Sequence, residues 1–214
     1  MTIFDMNIVP NAVTIKSLDN TAVFNSPLIA SAQTLDRGGL KWGMNLTFTN
    51  LQTDDRAELM GIILALRGRA NRLRINVHDN PKRGAYGGTP LIDGASQTGS
   101  SVAVKGCSNN ITNWIRRGDY FSVIVNSEHE LKMCTEDASS NGSGQIATLK
   151  FEPRLRDSPA DSAIITVDDG VIGFPRGIYI LATSGQGWTS KPGKGSKLSD
   201  VSLGLVEDVF ASQS

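Results

Sequence analysis

The 214-residue chain is poor in the residues that most catalytic and metal-dependent proteins use. It contains two histidines and two cysteines. Serine hydrolase chemistry needs a positioned base beside its nucleophile, and no Gly-x-Ser-x-Gly elbow occurs here. Cys107 and Cys134 have no histidine cluster to complete a zinc site, and in a reducing compartment they are expected to be free and buried. Net charge is also lacking, with 21 Lys and Arg against 21 Asp and Glu. A dedicated nucleic-acid binder carries a surplus of cations to meet phosphates, so neutrality counts against that class and favours self-association. No apolar run approaches the ~18 residues of a membrane span. The opening MTIFDMNIVPN lacks the basic and apolar regions of a secretory leader, so the chain is expected to stay where it is made or to leave within a larger particle. Apolar residues are 39% of the total, enough for a packed core.

What is present is short alternating runs. AVTI at 12–15 and TAVF at 21–24 read as strands, and Asp19-Asn20 between them as a hairpin turn. Trp42, Met44, Leu46 and Phe48 recur at every second position, which gives a strand with one buried face. The period then changes. Thr53 can cap a helix spanning 54–67, Asp54 and Asp55 suit its first turn, and Leu59, Ile62, Ile63 and Leu66 form one apolar stripe. Gly68 is expected to close it. Leu73, Ile75 and Val77 alternate next, as a strand.

Residues 79–90, with two prolines and three glycines, read as a loop. Beyond it, SVAV at 101–104, YFSVIV at 120–125, ELKMC at 130–134, IATLKF at 146–151 and AIITV at 163–167 follow at regular spacing. Five short strands with tight turns suggest a small closed barrel, because closure removes exposed edges. Residues 88–168 are assigned to this inserted domain. Residues 1–87 and 169–214 are assigned to a discontinuous β domain, in which two later strands, around Ile178–Ala182 and Val201–Leu205, return to the N-terminal sheet. The glycine- and lysine-rich stretch 184–197 between them reads as a long loop. The class is mainly β with one α-helix.

The order of several segments resembles the distal tail proteins of long-tailed bacteriophages with non-contractile tails. One is the helix ending Leu66-Arg67-Gly68-Arg69 and running into Leu73-Arg74-Ile75. The others are Gly94-Ala95-Ser96-Gln97-Thr98-Gly99-Ser100-Ser101, then Arg117-Gly118-Asp119-Tyr120-Phe121, Ser143-Gly144-Gln145-Ile146, and finally Glu152-Pro153-Arg154-Leu155-Arg156-Asp157-Ser158-Pro159. The resemblance implies a virion protein at the tail tip, assembled in the host cytoplasm. Its N-terminal domain would form a ring, in that family usually a hexamer, between the tail tube protein and the tail-tip hub protein. The barrel would hang outside, with fibre or receptor-binding proteins as further partners. It implies no catalytic residue, cofactor or metal.

A ring needs unlike faces that meet, and opposite charge serves such faces. Arg67, Arg69, Arg72 and Arg74 lie in a basic segment that continues to Lys82 and Arg83; Asp54, Asp55, Asp200, Glu207 and Asp208 are the acidic candidates for the partner face. The competing reading keeps these side chains solvated or in intrachain pairs of little worth. DNA contact by the arginines lacks aromatic interleaving or a recognition motif. A different class of function, a carbohydrate- or receptor-binding module, would use Trp114, Tyr120 and Trp188 as stacking surfaces, whereas the plainer role of each is a core or interface anchor. Glu128-His129-Glu130 with Cys134 superficially offers metal ligands, yet on a strand after a turn at Asn126-Ser127 adjacent side chains point to opposite faces. His78 has no second ligand at helical spacing.

Overall fold

The computed structural model describes residues 2–25, 32–36, 38–77, 82–167, 174–183 and 201–208. They form strands β1 (Ile3–Met6), β2 (Ala12–Leu18), β3 (Thr21–Asn25), β4 (Ala32–Asp36) and β5 (Lys41–Phe48), helix α1 (Thr53–Ala65), and strand β6 (Arg72–Asn76). Then come β7 (Gly88–Ile92), β8 (Ser101–Cys107), β9 (Tyr120–Val125), β10 (Glu128–Cys134), β11 (Ile146–Glu152), β12 (Ile165–Val167), β13 (Arg176–Leu181) and β14 (Val201–Glu207). The protein is mainly β with this one helix among the described residues.

The first sheet is ordered β1-β6-β13-β14-β5-β2, so strands from late in the chain lie between strands from its beginning. The β1–β6 pair is parallel and the other pairs are antiparallel. Period-two alternation puts Trp42, Met44, Leu46 and Phe48 of β5 and Leu73 and Ile75 of β6 on the buried side. Helix α1 closes that core through Leu59, Ile62 and Ile63, followed by Leu66. Its cap differs from expectation. Gln52 is the N-cap, no side chain caps it, and Thr53 is already helical. Arg67 and Gly68 both take positive φ, which ends the helix at Ala65 instead of 67.

The second sheet is ordered β12-β9-β10-β11-β8-β7, and the bridge between Leu91 and Ile164 brings its two ends together. It is a nearly closed, six-stranded, barrel-like sheet. The sequence suggested five strands; β7 was hidden in the Gly- and Pro-rich stretch read as loop. Its core holds Trp114, Phe121, Val123, Leu149, Phe151 and Ile165, and Phe121 meets Phe151 edge-on at 5.5 Å. The β9–β10 hairpin turns on Asn126 and Ser127, both at positive φ, as a two-residue turn matched to strand twist requires.

Asp19-Asn20 is not a hairpin turn. Strand β2 pairs with β5, while β3 pairs with β4 as a separate two-stranded ribbon. Exposed side chains dominate both ribbon strands, so no buried face was available to hold β3 against β2.

Candidate functional site

Charged residues lie inside the seam where the barrel meets the first sheet. Glu207, 6% exposed at the end of β14, accepts from Arg156 Nη2 at 2.7 Å and from the backbone N–H of Trp42 at 2.9 Å, both on Oε2. Lys132, 0% exposed on β10, donates to Glu130 Oε2 at 2.8 Å and to the carbonyl of Arg154 at 3.0 Å. The indole N–H of Trp42 donates to the carbonyl of Leu131 at 3.1 Å, and its ring meets Tyr120 edge-on at 5.8 Å. Burial raises the Glu207 carboxyl above its ordinary range against the pull of Arg156 and the Trp42 N–H. Burial likewise lowers the Lys132 ammonium, opposed by Glu130. Desolvation and pairing compete in both, as in any buried ion pair; Arg156–Glu207 crosses from the barrel-like sheet to β14, whereas Lys132–Glu130 lies within β10. At a second place on the seam, Arg74 lies 3.6 Å from Asp5 and 3.8 Å from Glu128.

This arrangement revises the expected charged surfaces. Glu207 and Asp208 are buried, so neither belongs to an exposed acidic face. Arg72 is ion-paired to Asp208, and Arg74 is paired within the chain. They neutralise each other because the C-terminal pair of strands inserts beside β5 and β6. Arg69 is exposed but donates from Nε to the carbonyl of Leu181 at 2.8 Å. Arg67, Asp54 and Asp55 remain on the surface. Asp200, Trp188, His78 and the 184–197 loop lie outside the described residues.

The stacking candidates are also relocated. Trp114 is 0% exposed, donates from its indole N–H to the carbonyl of Gly87 at 2.9 Å, and meets Tyr86 edge-on at 5.8 Å. Tyr120 is buried against Trp42. Trp114, in the connection between β8 and β9, packs into the barrel core and Tyr120, at the start of β9, into the core of the first sheet, so neither can offer a face to a sugar.

Two features were missed in the sequence. On the β3–β4 ribbon, Phe24 is 55% and Leu35 52% exposed. Ala22 pairs with Leu35 and Phe24 with Gln33, so Ala22, Phe24 and Leu35 share one face, with Val23 exposed on the other. The exposed apolar side chains on alternate faces were the available signal. The second is Asp119, fully buried, whose carboxylate accepts from the backbone N–H groups of Arg83, Gly84 and Arg116 at 3.1, 2.8 and 3.0 Å. It fixes a turn that presents arginines around an open hollow of about 590 Å³ lined by Arg83, Arg116, Arg117, Glu136 and Asp137.

Ser122 Oγ lies 3.2 Å from His129 Nδ1. Burial, then the fields of Arg74 and Arg176, lowers that imidazole to about 4. A base so weak accepts a hydroxyl proton poorly, and Ser122 itself is fully buried. Among the described residues no group of three His, Cys, Asp or Glu could hold a metal. Cys107 and Cys134 are free and buried, and burial pushes their thiols up to about 12 and about 11. The thiolate is the reactive form. The native protein at pH 8 is therefore expected to leave both thiols unlabelled by a disulfide reagent over the time in which the urea-unfolded chain labels two.

No protein-family model matches the sequence, and none of the curated proteins compared with it matches significantly.

Proposed function

We propose that this protein is a non-catalytic structural subunit that forms a ring at the tip of a bacteriophage tail, joining the tail tube to the tip or baseplate hub. The reading rests on the order of the segments that resemble distal tail proteins, and the β3–β4 ribbon is the observation that carries it. A two-stranded ribbon is marginally stable by itself in water, and this one leaves Phe24, Leu35 and Val23 in solvent. Fully burying one such side chain stabilises by about 1.5–3 kcal/mol, so a neighbouring subunit that covers the ribbon gains what the chain alone leaves unused. The first sheet supports the same reading. Its end strands are unlike, β1 at one edge and β2 at the other, and unlike surfaces that meet make a contact able to close into a ring.

The discontinuous β domain would build the ring and the barrel would face outward as a platform for fibre or receptor-binding proteins. Carbohydrate binding has lost two of its three candidate residues, Trp114 and Tyr120, to the core.

Negative-stain images of the purified protein, with mass measured by light scattering, are expected to show a ring of about six copies, the number typical of the resembled family. The double variant Phe24→Ser, Leu35→Ser is expected to remain folded, because both side chains are exposed, and to assemble at least tenfold more weakly. Wild-type particles that stay single at high concentration would refute the reading.

A further inference from the structure

We infer that the arginine hollow formed by Arg83, Arg116 and Arg117 is a docking site for an acidic protein segment, namely the first turn of α1 in a second copy of this chain. The inference rests on the ring reading and names one contact within it.

The hollow is built around Asp119. That carboxylate is spent on three backbone N–H groups, which hold the 83–84 and 116–119 segments side by side. Its nearest approach to a guanidinium, Arg83 Nε, is 3.8 Å, outside hydrogen-bond range. Of the two acids on the rim, Glu136 is taken by Lys150 at 2.9 Å. Asp137 accepts from the backbone N–H of Arg117 at 2.8 Å, and Arg116 Nε is 3.9 Å away. Arg117 donates from Nε to the carbonyl of Thr135 at 2.8 Å. Each arginine carries five N–H donors in a planar fork suited to carboxylates, so three half-exposed or exposed guanidinium groups line the hollow with most donors unused among the described residues.

The partner follows from charge. The acidic side chains Asp54 and Asp55 are exposed in the first turn of α1, with Glu58 exposed just after it and the half-buried Arg56 between them. That turn belongs to the layer covering the first sheet, and the hollow belongs to the barrel. Two such unlike patches on different parts of one chain can meet head to tail, and repetition of that contact closes a ring where the rotation allows; a particle of only two copies, each giving both patches to the other, would refute the ring. A chain whose total charge is zero can carry both patches without net repulsion between copies.

The test compares four proteins by light scattering and negative-stain imaging, with far-UV circular dichroism as the check on folding. They are the wild type, a basic-side variant (Arg83→Glu, Arg116→Glu, Arg117→Glu), an acidic-side variant (Asp54→Arg, Asp55→Arg, Glu58→Arg), and the chain carrying both sets. Each single-sided variant is expected to assemble at least tenfold more weakly, and the combined chain to regain rings. Wild-type assembly is expected to weaken as salt rises, since rim charges are screened over about 8 Å at physiological ionic strength. Arg117→Gln, at the exposed rim, is a milder second variant expected to weaken assembly while the chain stays folded, since the one bond it gives up, to the Thr135 carbonyl, is exposed to water. Wild-type rings with unimpaired rings in the basic-side variant and in Arg117→Gln overturn the docking site and leave the ring intact. A wild type that never assembles overturns both.

Discussion

Glu207→Ala is expected to lower the unfolding free energy by about 3–5 kcal/mol, the usual cost of removing one partner of a buried ion pair. The substitution strands Arg156, whose side chain is largely buried, and leaves the Trp42 N–H without its acceptor at 2.9 Å. The gross attraction of the pair is not what is lost. Glu207 sits above its ordinary pKa because burial already outweighs its cations, so the net worth of the ionised pair is small and the penalty comes from the orphaned guanidinium and N–H. Replacing both Glu207 and Arg156 with apolar residues of similar volume is therefore expected to recover the part due to the guanidinium, while the Trp42 N–H still lacks its acceptor. The network is also incompletely satisfied, since Glu130 Oε1 and Arg156 Nε have no hydrogen-bond partner among the described residues. Urea unfolding of the single and double variants checks this. A single variant within 1 kcal/mol of wild type, on the scale set by buried pairs, would mean that the seam is held by something else.

Trp114→Ala is expected to cost a similar amount, about 3–5 kcal/mol, but in the other core. Trp114 is among the largest fully buried side chains, and its loss removes the edge-on contact with Tyr86 and the bond to the Gly87 carbonyl. The result separates two roles cleanly. A core tryptophan lowers the melting temperature and alters the near-ultraviolet dichroism when removed. A tryptophan that stacked on a sugar would leave the melting temperature unchanged and cost binding alone. Tyr86 reports on the same site, so Tyr86→Leu is expected to give a smaller loss in the same direction.

The sequence made the regular parts of this fold legible because one buried face imposes a period. Trp42, Met44, Leu46 and Phe48 could only be a half-buried strand, and Leu59, Ile62, Ile63 and Leu66 only a helix stripe; all eight are buried. Strand β9, YFSVIV, was placed to the residue. Where no face is buried the signal failed. The ribbon was read as a hairpin with the wrong partner, because exposed strands carry no pattern that selects a neighbour. Strand β7 was missed because Gly88 and Pro90 mark turns far more often than strands. The charged candidates failed for a different reason. Arg72 meets Asp208 across a long separation in sequence, and local spacing says nothing about pairs that form only when distant strands become neighbours. Asp119 was visible only as part of a short motif; its use by three backbone groups required the turn to be seen.

The position of β14 carries a consequence for how the chain is made. Within the first sheet β14 is the only described strand that joins β1-β6-β13 to β5-β2. Until it leaves the ribosome, those two groups have no strand in common among the described residues, whereas all six strands of the barrel-like sheet lie earlier in the chain and domains tend to fold as units. The nascent protein is therefore expected to carry a finished barrel beside a split sheet before β14 joins. Loss of β14 is expected to leave the six strands of the barrel-like sheet paired and the first sheet parted into β1-β6-β13 and β5-β2, a molecule with one finished half and one without a common frame.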